Sequence, residues 1–272
     1  SMSDELETLR HSTAHLMAAA VLDLFPGTAI GIGPATDEGF YYDFAFREPM
    51  LPEQLPRIEA RMRQLIEAGL PFAKEELPRD QAAKLFADLS QPLKLELIAD
   101  KVVDSTARVY RTGDFVDLCL GPHVSDTSKL GAFRLLSIAG AYWKGSEKNQ
   151  MLTRIYGTAF SSQAELEAHL KRLEEAAQRD HRKLGKELDL FMIDELVGRG
   201  LPLLTPKGAA IRRQMEDFVL RLERRHGYAH VKTPDIARLD LFKLSGHLER
   251  YRESMYAPSE MEDEEWQLRP MN

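Results

Sequence analysis

This sequence predicts an α+β fold, and three features point to it. Apolar residues recur at helical spacing through the first hundred residues, most clearly over Leu6–Leu24. From Thr106 the pattern turns to short strands punctuated by Gly113-Asp114, Gly145-Ser146 and Lys148-Asn149. A second run of helix and strand patterns then starts near Leu188, so more than one unit is expected within 272 residues.

Composition narrows the class. A hydrophobic share of 43% and a charged share of 29% are ordinary for a globular chain with a real core. One cysteine excludes an internal disulfide framework and fits a reducing cytosol. No apolar run reaches membrane-spanning length and no signal peptide is visible, so a cytoplasmic protein without a membrane partner is expected. The net charge of −7 argues against coating nucleic acid by bulk charge but leaves room for a local basic face. Ser1-Met2 reads as a cloning remnant ahead of the native start. There are no internal repeats.

The first helix, Leu6–Leu24, carries an apolar stripe of Leu6, Leu9, Thr13, Leu16, Met17, Ala20, Val21 and Leu24. His11 and His15 stand one turn apart, off that stripe, beside Ala14, Ala18 and Ala19, as the wall of a cleft would require. Pro26-Gly27 ends the helix. Residues 29–33 and 40–46 read as a hairpin, in which Gly31 and Gly33 mark either a close approach to the backbone or a bulge. Tyr41 and Tyr42 should point to opposite faces.

Pro52–Gly69 is a second amphipathic helix with Leu55, Ile58, Met62, Leu65 and Ile66 inward. Residues 72–76 form a short strand and 78–89 a third helix. Residues 93–98 are ambiguous; Lys94 sits there between apolar neighbours, and its plain alternative is a lysine snorkelling along the surface. Strands follow over 107–111, 115–118, 133–141 and 151–156. A long helix then runs from Ser161-Ser162 to about Leu184, with a capping box between Ser162 and Glu165. Its end holds Arg179, Arg182, Lys183 and Lys186, either a phosphate-contacting face or cations suited to a helix C-terminus. Further on come a helix over 208–225 with Ile211, Met215, Phe218, Val219 and Leu222 as its stripe, a strand over 228–232, and a short helix over 239–245. The acidic run Glu260–Glu265 reads as a solvated turn or helix start. The second unit is short for the sheet it begins, so a truncated domain is expected.

Chemistry concentrates in two places. His11 and His15 form HxxxH; Cys119 and His123 form CxxxH, held on a loop because Gly121-Pro122 forbids a regular helix. Three imidazoles and a thiol are a ligand set that zinc accepts. Each motif alone has a plain alternative: histidines of core or surface, and a cysteine that is an inert small hydrophobe.

The residues that carry a family resemblance are His11-Ser12-Thr13-Ala14-His15, Gly33-Pro34, Gly39-Phe40-Tyr41-Tyr42-Asp43, Asp117 through His123, Ala139 through Trp143, Arg154 through Thr158, and Arg179-Asp180-His181-Arg182-Lys183. Together they resemble the bacterial threonyl-tRNA synthetases, across essentially the whole chain. The resemblance implies three parts. Residues 3–160 are similar to the editing domain shared with alanyl-tRNA synthetases, 161–187 to a basic linker helix, and 188–272 to the start of a class II catalytic domain, with motif 1 ending at Lys232-Thr233-Pro234. The catalytic zinc ligands and the ATP-binding motifs of the family are expected beyond residue 272. Leu120 replaces an arginine common in the family's CxxxH word.

The implied function is that of a threonine–tRNA ligase fragment that keeps the site hydrolysing mischarged Ser-tRNA(Thr) and lacks aminoacylation. Implied roles are catalytic for His11, Lys94, Asp117 and His123, and substrate-binding for His15, Cys119 and Tyr42. His11, His15, Cys119 and His123 could hold a zinc ion. Arg179, Arg182, Lys183 and Lys186 are candidates for tRNA contact. The tRNA(Thr) acceptor end is the implied partner; ATP, a second zinc and a homodimer belong to the complete enzyme. The rival readings are a free-standing trans-editing deacylase and a non-catalytic tRNA- or metal-binding module.

Overall fold

A computed structural model describes residues 3–103 and 105–270; Ser1-Met2 and Met271-Asn272 lie outside the described residues. The chain divides into two compact units, 1–178 and 179–272. Both mix helices with antiparallel sheets, which gives the expected α+β class.

The first unit is built around α1 (Asp4–Leu24), capped by Ser3, whose hydroxyl accepts from the Leu6 amide, and started by the acids Asp4, Glu5 and Glu7. The burial is not confined to the single expected stripe. Every residue from Ser12 to Val21 is buried, because α1 packs both on a second helix and on the main sheet. Its run of alanines lets both neighbours approach closely; His15 is buried and His11 half-buried.

The main sheet has five strands. β1 (Ala29–Ile30) and β2 (Ala35–Thr36) both pair with β3 (Gly39–Ala45). A 3-10 turn at Pro52–Gln54 leads into α2 (Leu55–Glu67), which buries Leu55, Ile58, Met62 and Leu65, four of the five residues its spacing selects. Next come β4 (Ala73–Pro78), α3 (Arg79–Asp88) and α4 (Pro92–Lys101), which resolves the ambiguous stretch as helix. β5 (Thr106–Thr112) and β6 (Phe115–Leu118) join β4 in a separate three-stranded sheet. β7 (Ala132–Tyr142) and β8 (Met151–Phe160) complete the main sheet in the order β1-β3-β8-β7. The main core gathers Leu16, Met17, Phe40, Phe44, Ile58, Met62, Phe133 and Ile155 between α1, α2 and this sheet. A smaller core of Phe86, Ile98, Val109 and Val116 sits under the second sheet.

The predicted long helix is two helices. α5 (Gln163–Gln178) has the predicted capping box, with the Ser162 amide on Glu165 Oε2 at 3.1 Å and the Glu165 amide on Ser162 Oγ at 3.3 Å. α6 (His181–Glu187) restarts in the second unit because Asp180 leaves helical geometry (φ −57°, ψ 121°) and accepts from the Arg182 amide.

In the second unit, β9 (Phe191–Met192) pairs with β10 (Leu203–Leu204), and α7 (Pro206–Arg225) follows, capped by Thr205. Its apolar stripe is present but not buried: Ile211, Met215, Phe218, Val219 and Leu222 are all exposed. Residues 228–232 form no strand. Extended chain finds a partner only later, at β11 (Ile236–Arg238). After α8 (Leu239–Leu244) and α9 (His247–Tyr251), β12 (Ser259–Met261) and β13 (Glu264–Leu268) form a hairpin on β11. The acidic run is thus the hairpin turn, with Glu262 and Asp263 at positive φ, and not a helix start.

Candidate functional site

The two sequence motifs meet. α1 supplies His11 and His15, and the segment leaving β6 supplies Cys119 and His123. One ligand atom from each of these four residues lies within 4.8 Å of the others. The Cys119 Sγ is 3.3 Å from His11 Nε2 and 3.3 Å from His123 Nε2. The loop is fixed at both ends: the Cys119 amide donates to the Arg108 carbonyl and the Val124 amide to Ser12 Oγ. Gly121 has φ +74°, and a Cβ there would fall 2.3 Å from the Tyr110 hydroxyl, so the close turn requires glycine. His123 lies flat against Phe72 at 5.1 Å and edge-on to Tyr110 at 4.5 Å.

Beside this cluster sits a buried ionic network. Lys94 is 1% exposed and Asp117 2% exposed, and Lys94 Nζ pairs with Asp117 Oδ1. The other oxygen, Oδ2, accepts from the Tyr42 hydroxyl at 2.5 Å and lies 3.3 Å from His15 Nε2. Lys94 also donates to the Tyr42 oxygen at 3.2 Å. Lys94 is therefore no surface lysine; α4 carries it inward, where a charge persists only against an opposite charge and hydrogen bonds. Tyr42 is wholly buried, and Gly33 is the reason it fits: a Cβ on Gly33 would stand 2.1 Å from the Tyr42 ring. That settles the glycine pattern in favour of close approach.

Burial sets the protonation states. Desolvation lowers the pKa of His11, with Asp117 opposing, and pushes His15 well below the usual imidazole value. His123, desolvated and beside the other two rings, is lowered to about 2. Burial raises the Cys119 thiol to about 12 and takes the Tyr42 phenol well above its normal value. Near neutral pH the site thus holds three neutral imidazoles and a protonated thiol.

A pocket of about 340 Å3 opens onto this chemistry, lined among others by Glu7, His11, His15, Gly33, Lys94, Asp117 and Cys119. It is the size of a small-ligand site with convergent polar groups. A larger groove of about 640 Å3 in the second unit is almost wholly apolar and gathers no such cluster. Of the residues expected to serve substrate or catalysis, five line the pocket. Tyr42 and His123 do not; they stand behind Asp117 and Cys119 respectively.

The residues fit a metal ion by their chemistry. The donor set is N3S, the imidazoles are neutral, and His15 Nδ1 is buried with no hydrogen-bond partner. The basic residues Arg179, Arg182, Lys183 and Lys186 are exposed in the second unit. Arg182 is paired with Asp180 at 2.8 Å and Lys183 with Glu187 at 4.0 Å. Ser12, Phe72 and Tyr110 were not singled out from sequence. Only Ser12 carried a signal, its place between the two motif histidines.

Known proteins match this sequence. Residues 107–156, which include Asp117, Cys119 and His123, match the threonyl and alanyl tRNA synthetase second additional domain. A threonine–tRNA ligase of Dehalococcoides mccartyi is 54% identical over 268 residues, 98% of this chain and 46% of that protein. Over its whole length the chain is homologous to threonine–tRNA ligases. The enzyme of Rubrobacter xylanophilus is 51% identical over 98% of this chain and 42% of its own length, and that of Geobacillus sp. 48% identical over 100% and 42%. The chain thus spans a little under half the length of the curated relatives it matches. A solved RNA binding domain of threonyl-tRNA synthetase from Cryptosporidium parvum is 40% identical, covering 35% of this chain and 23% of that one at a TM-score of 0.33, too low to bear on the fold. No helix among the described residues is long and apolar enough to cross a membrane.

Proposed function

We propose that the first unit hydrolyses the seryl ester of mischarged Ser-tRNA(Thr) at the tRNA 3′ end and spares Thr-tRNA(Thr). The observation that carries this reading is the pocket wall of His11, His15 and Cys119 beside the buried Lys94–Asp117 pair, in a chain homologous to threonine–tRNA ligases. Such an activity answers a physical need. Serine lacks one methyl group of threonine, and a binding pocket gains only about 1–3 kcal/mol from a methylene. A second, tighter site that excludes the methyl corrects the error.

Ester hydrolysis adds water to the carbonyl carbon, passes through an oxyanion, and expels the ribose oxygen, which leaves with a proton. His11, neutral and only partly buried on the pocket wall, takes the proton from the attacking water. The Lys94 ammonium stabilises the oxyanion, and Asp117, oriented by Tyr42, draws the substrate ammonium. His123 acts through Cys119, which it supports from behind, and helps hold the end of the ribose site in shape. His11, His15, Cys119 and His123 would hold a zinc ion, which when bound supplies Lewis-acid polarisation of a water or carbonyl.

The same homology supports wider proposals for the complete protein: a homodimeric threonine–tRNA ligase using ATP and a catalytic zinc, with 188–272 as the start of its class II catalytic domain and Arg179, Arg182, Lys183 and Lys186 near tRNA phosphates. For the site itself, deacylation of Ser-tRNA(Thr) by the His11→Ala variant should fall by about 10²- to 10⁴-fold, the range of one positioned acid–base group. An unchanged rate removes His11 from the mechanism. Folded wild-type chain that binds the tRNA without turnover would make it a binding module instead.

A further inference from the structure

Ser12 stands between the two motif histidines on α1, is wholly buried, and has no part in the reaction above. Three groups meet at its oxygen. The Thr8 carbonyl oxygen lies at 2.7 Å, the Val124 amide nitrogen at 3.0 Å and His123 Nδ1 at 3.0 Å. A hydroxyl has one proton to give and two lone pairs to receive. The Thr8 carbonyl can only accept and lies nearer than Nδ1, so the proton goes to it. The Val124 amide can only donate, so it fills one lone pair. What faces Nδ1 is then the second lone pair, which assigns the hydrogen to Nδ1. A bare Nδ1 would instead draw the hydroxyl proton away from the Thr8 carbonyl, the shorter of the two contacts, and leave the second lone pair of a wholly buried oxygen empty.

A neutral imidazole has one N–H, so the other nitrogen, Nε2, is bare. That atom is the one 3.3 Å from Cys119 Sγ, within the four-residue cluster. We propose that Ser12 is a positioning residue that locks His123 in the Nδ1–H tautomer, leaving the Nε2 lone pair to accept from the Cys119 thiol or to ligate a metal. Such outer partners fix ring orientation as well as tautomer. The same hydroxyl ties α1 to the loop through Val124, so one side chain sets both the place and the chemistry of His123.

The inference deepens the reaction proposed above, but its test does not need turnover. Long-range nitrogen–proton correlation NMR of the metal-free chain near neutral pH should show His123 Nδ1 protonated and Nε2 bare. In Ser12→Ala the two nitrogens should move toward averaged positions, and Ser12→Thr, which keeps the hydroxyl, should restore the split. Deacylation of Ser-tRNA(Thr) should fall by about 10- to 100-fold in the alanine variant and recover in the threonine variant. A wild-type spectrum with Nε2 protonated overturns the inference even if neither variant folds, and so does a Ser12→Ala spectrum unchanged from wild type. A chain that shows the predicted tautomer but never hydrolyses the ester fails the proposed reaction and keeps the role of Ser12.

Discussion

Lys94 and Asp117 depend on each other at the residue scale. Each is almost fully buried, and neither charge could stay there alone. Lys94→Met leaves Asp117 with only Tyr42 and His15 as partners, so it should cost about 3–5 kcal/mol in urea unfolding of the first unit and abolish deacylation. Replacing both, Lys94→Met with Asp117→Leu, should return most of that stability without the activity, since a well-packed apolar pair replaces the ion pair at little cost. A single variant as stable as wild type would show that the pair is solvated. The resemblance named both residues for the site, but their contact was not legible in the sequence. His11–His15 and Cys119–His123 are each four residues apart, so local spacing reveals them. Lys94 and Asp117 come from α4 and β6, whose adjacency follows only from the assembled sheets.

At the scale of elements, α5 shows how a helix is held to the first unit. It buries Leu166 and His169 against β7 and β8, with the His169 ring 5.0 Å from Phe160. Burial lowers the His169 pKa, Arg172 and Arg10 add to this, and Glu38 opposes it. A histidine whose docked pKa lies below its free value of about 6.5 binds a proton better when released. Its contribution to docking is therefore fully present above about pH 6.5 and is lost as the pH falls toward the docked value. Amide exchange of α5, corrected for intrinsic rate, should accelerate from pH 7 to pH 5, and His169→Gln should remove that pH dependence. Protection that ignores pH in the wild type would contradict it. The start of α5 was readable because its capping box is local. Its end was not, because Asp180 caps a new helix while the surrounding basic residues still fit helical periodicity. For the same reason α1 was read as one-sided: its alanines match either a solvent face or a tight interior contact.

Across the whole molecule the two units differ in how much they bury. Among the described residues, the buried apolar side chains of the second unit are Leu239 and Phe242; the others belong to the first. The stripe on α7 is real, yet Ile211, Met215 and Phe218 stand in the open. Periodicity identifies which face of a helix is apolar, and only the presence of a partner buries it. The expected strand over 228–232 failed likewise, since a strand needs a neighbour to bond. The first unit by contrast has its own core, pocket and charge network, so its chemistry should be self-contained. The most direct test is the loss of amino acid from Ser-tRNA(Thr) and Thr-tRNA(Thr) under single turnover with the chain in excess, with and without a chelator. The account predicts rapid loss of serine while threonine stays attached, and chelator sensitivity would report whether the four-residue cluster works with a metal. Equal rates for the two esters, or no hydrolysis of either by folded protein, would contradict it.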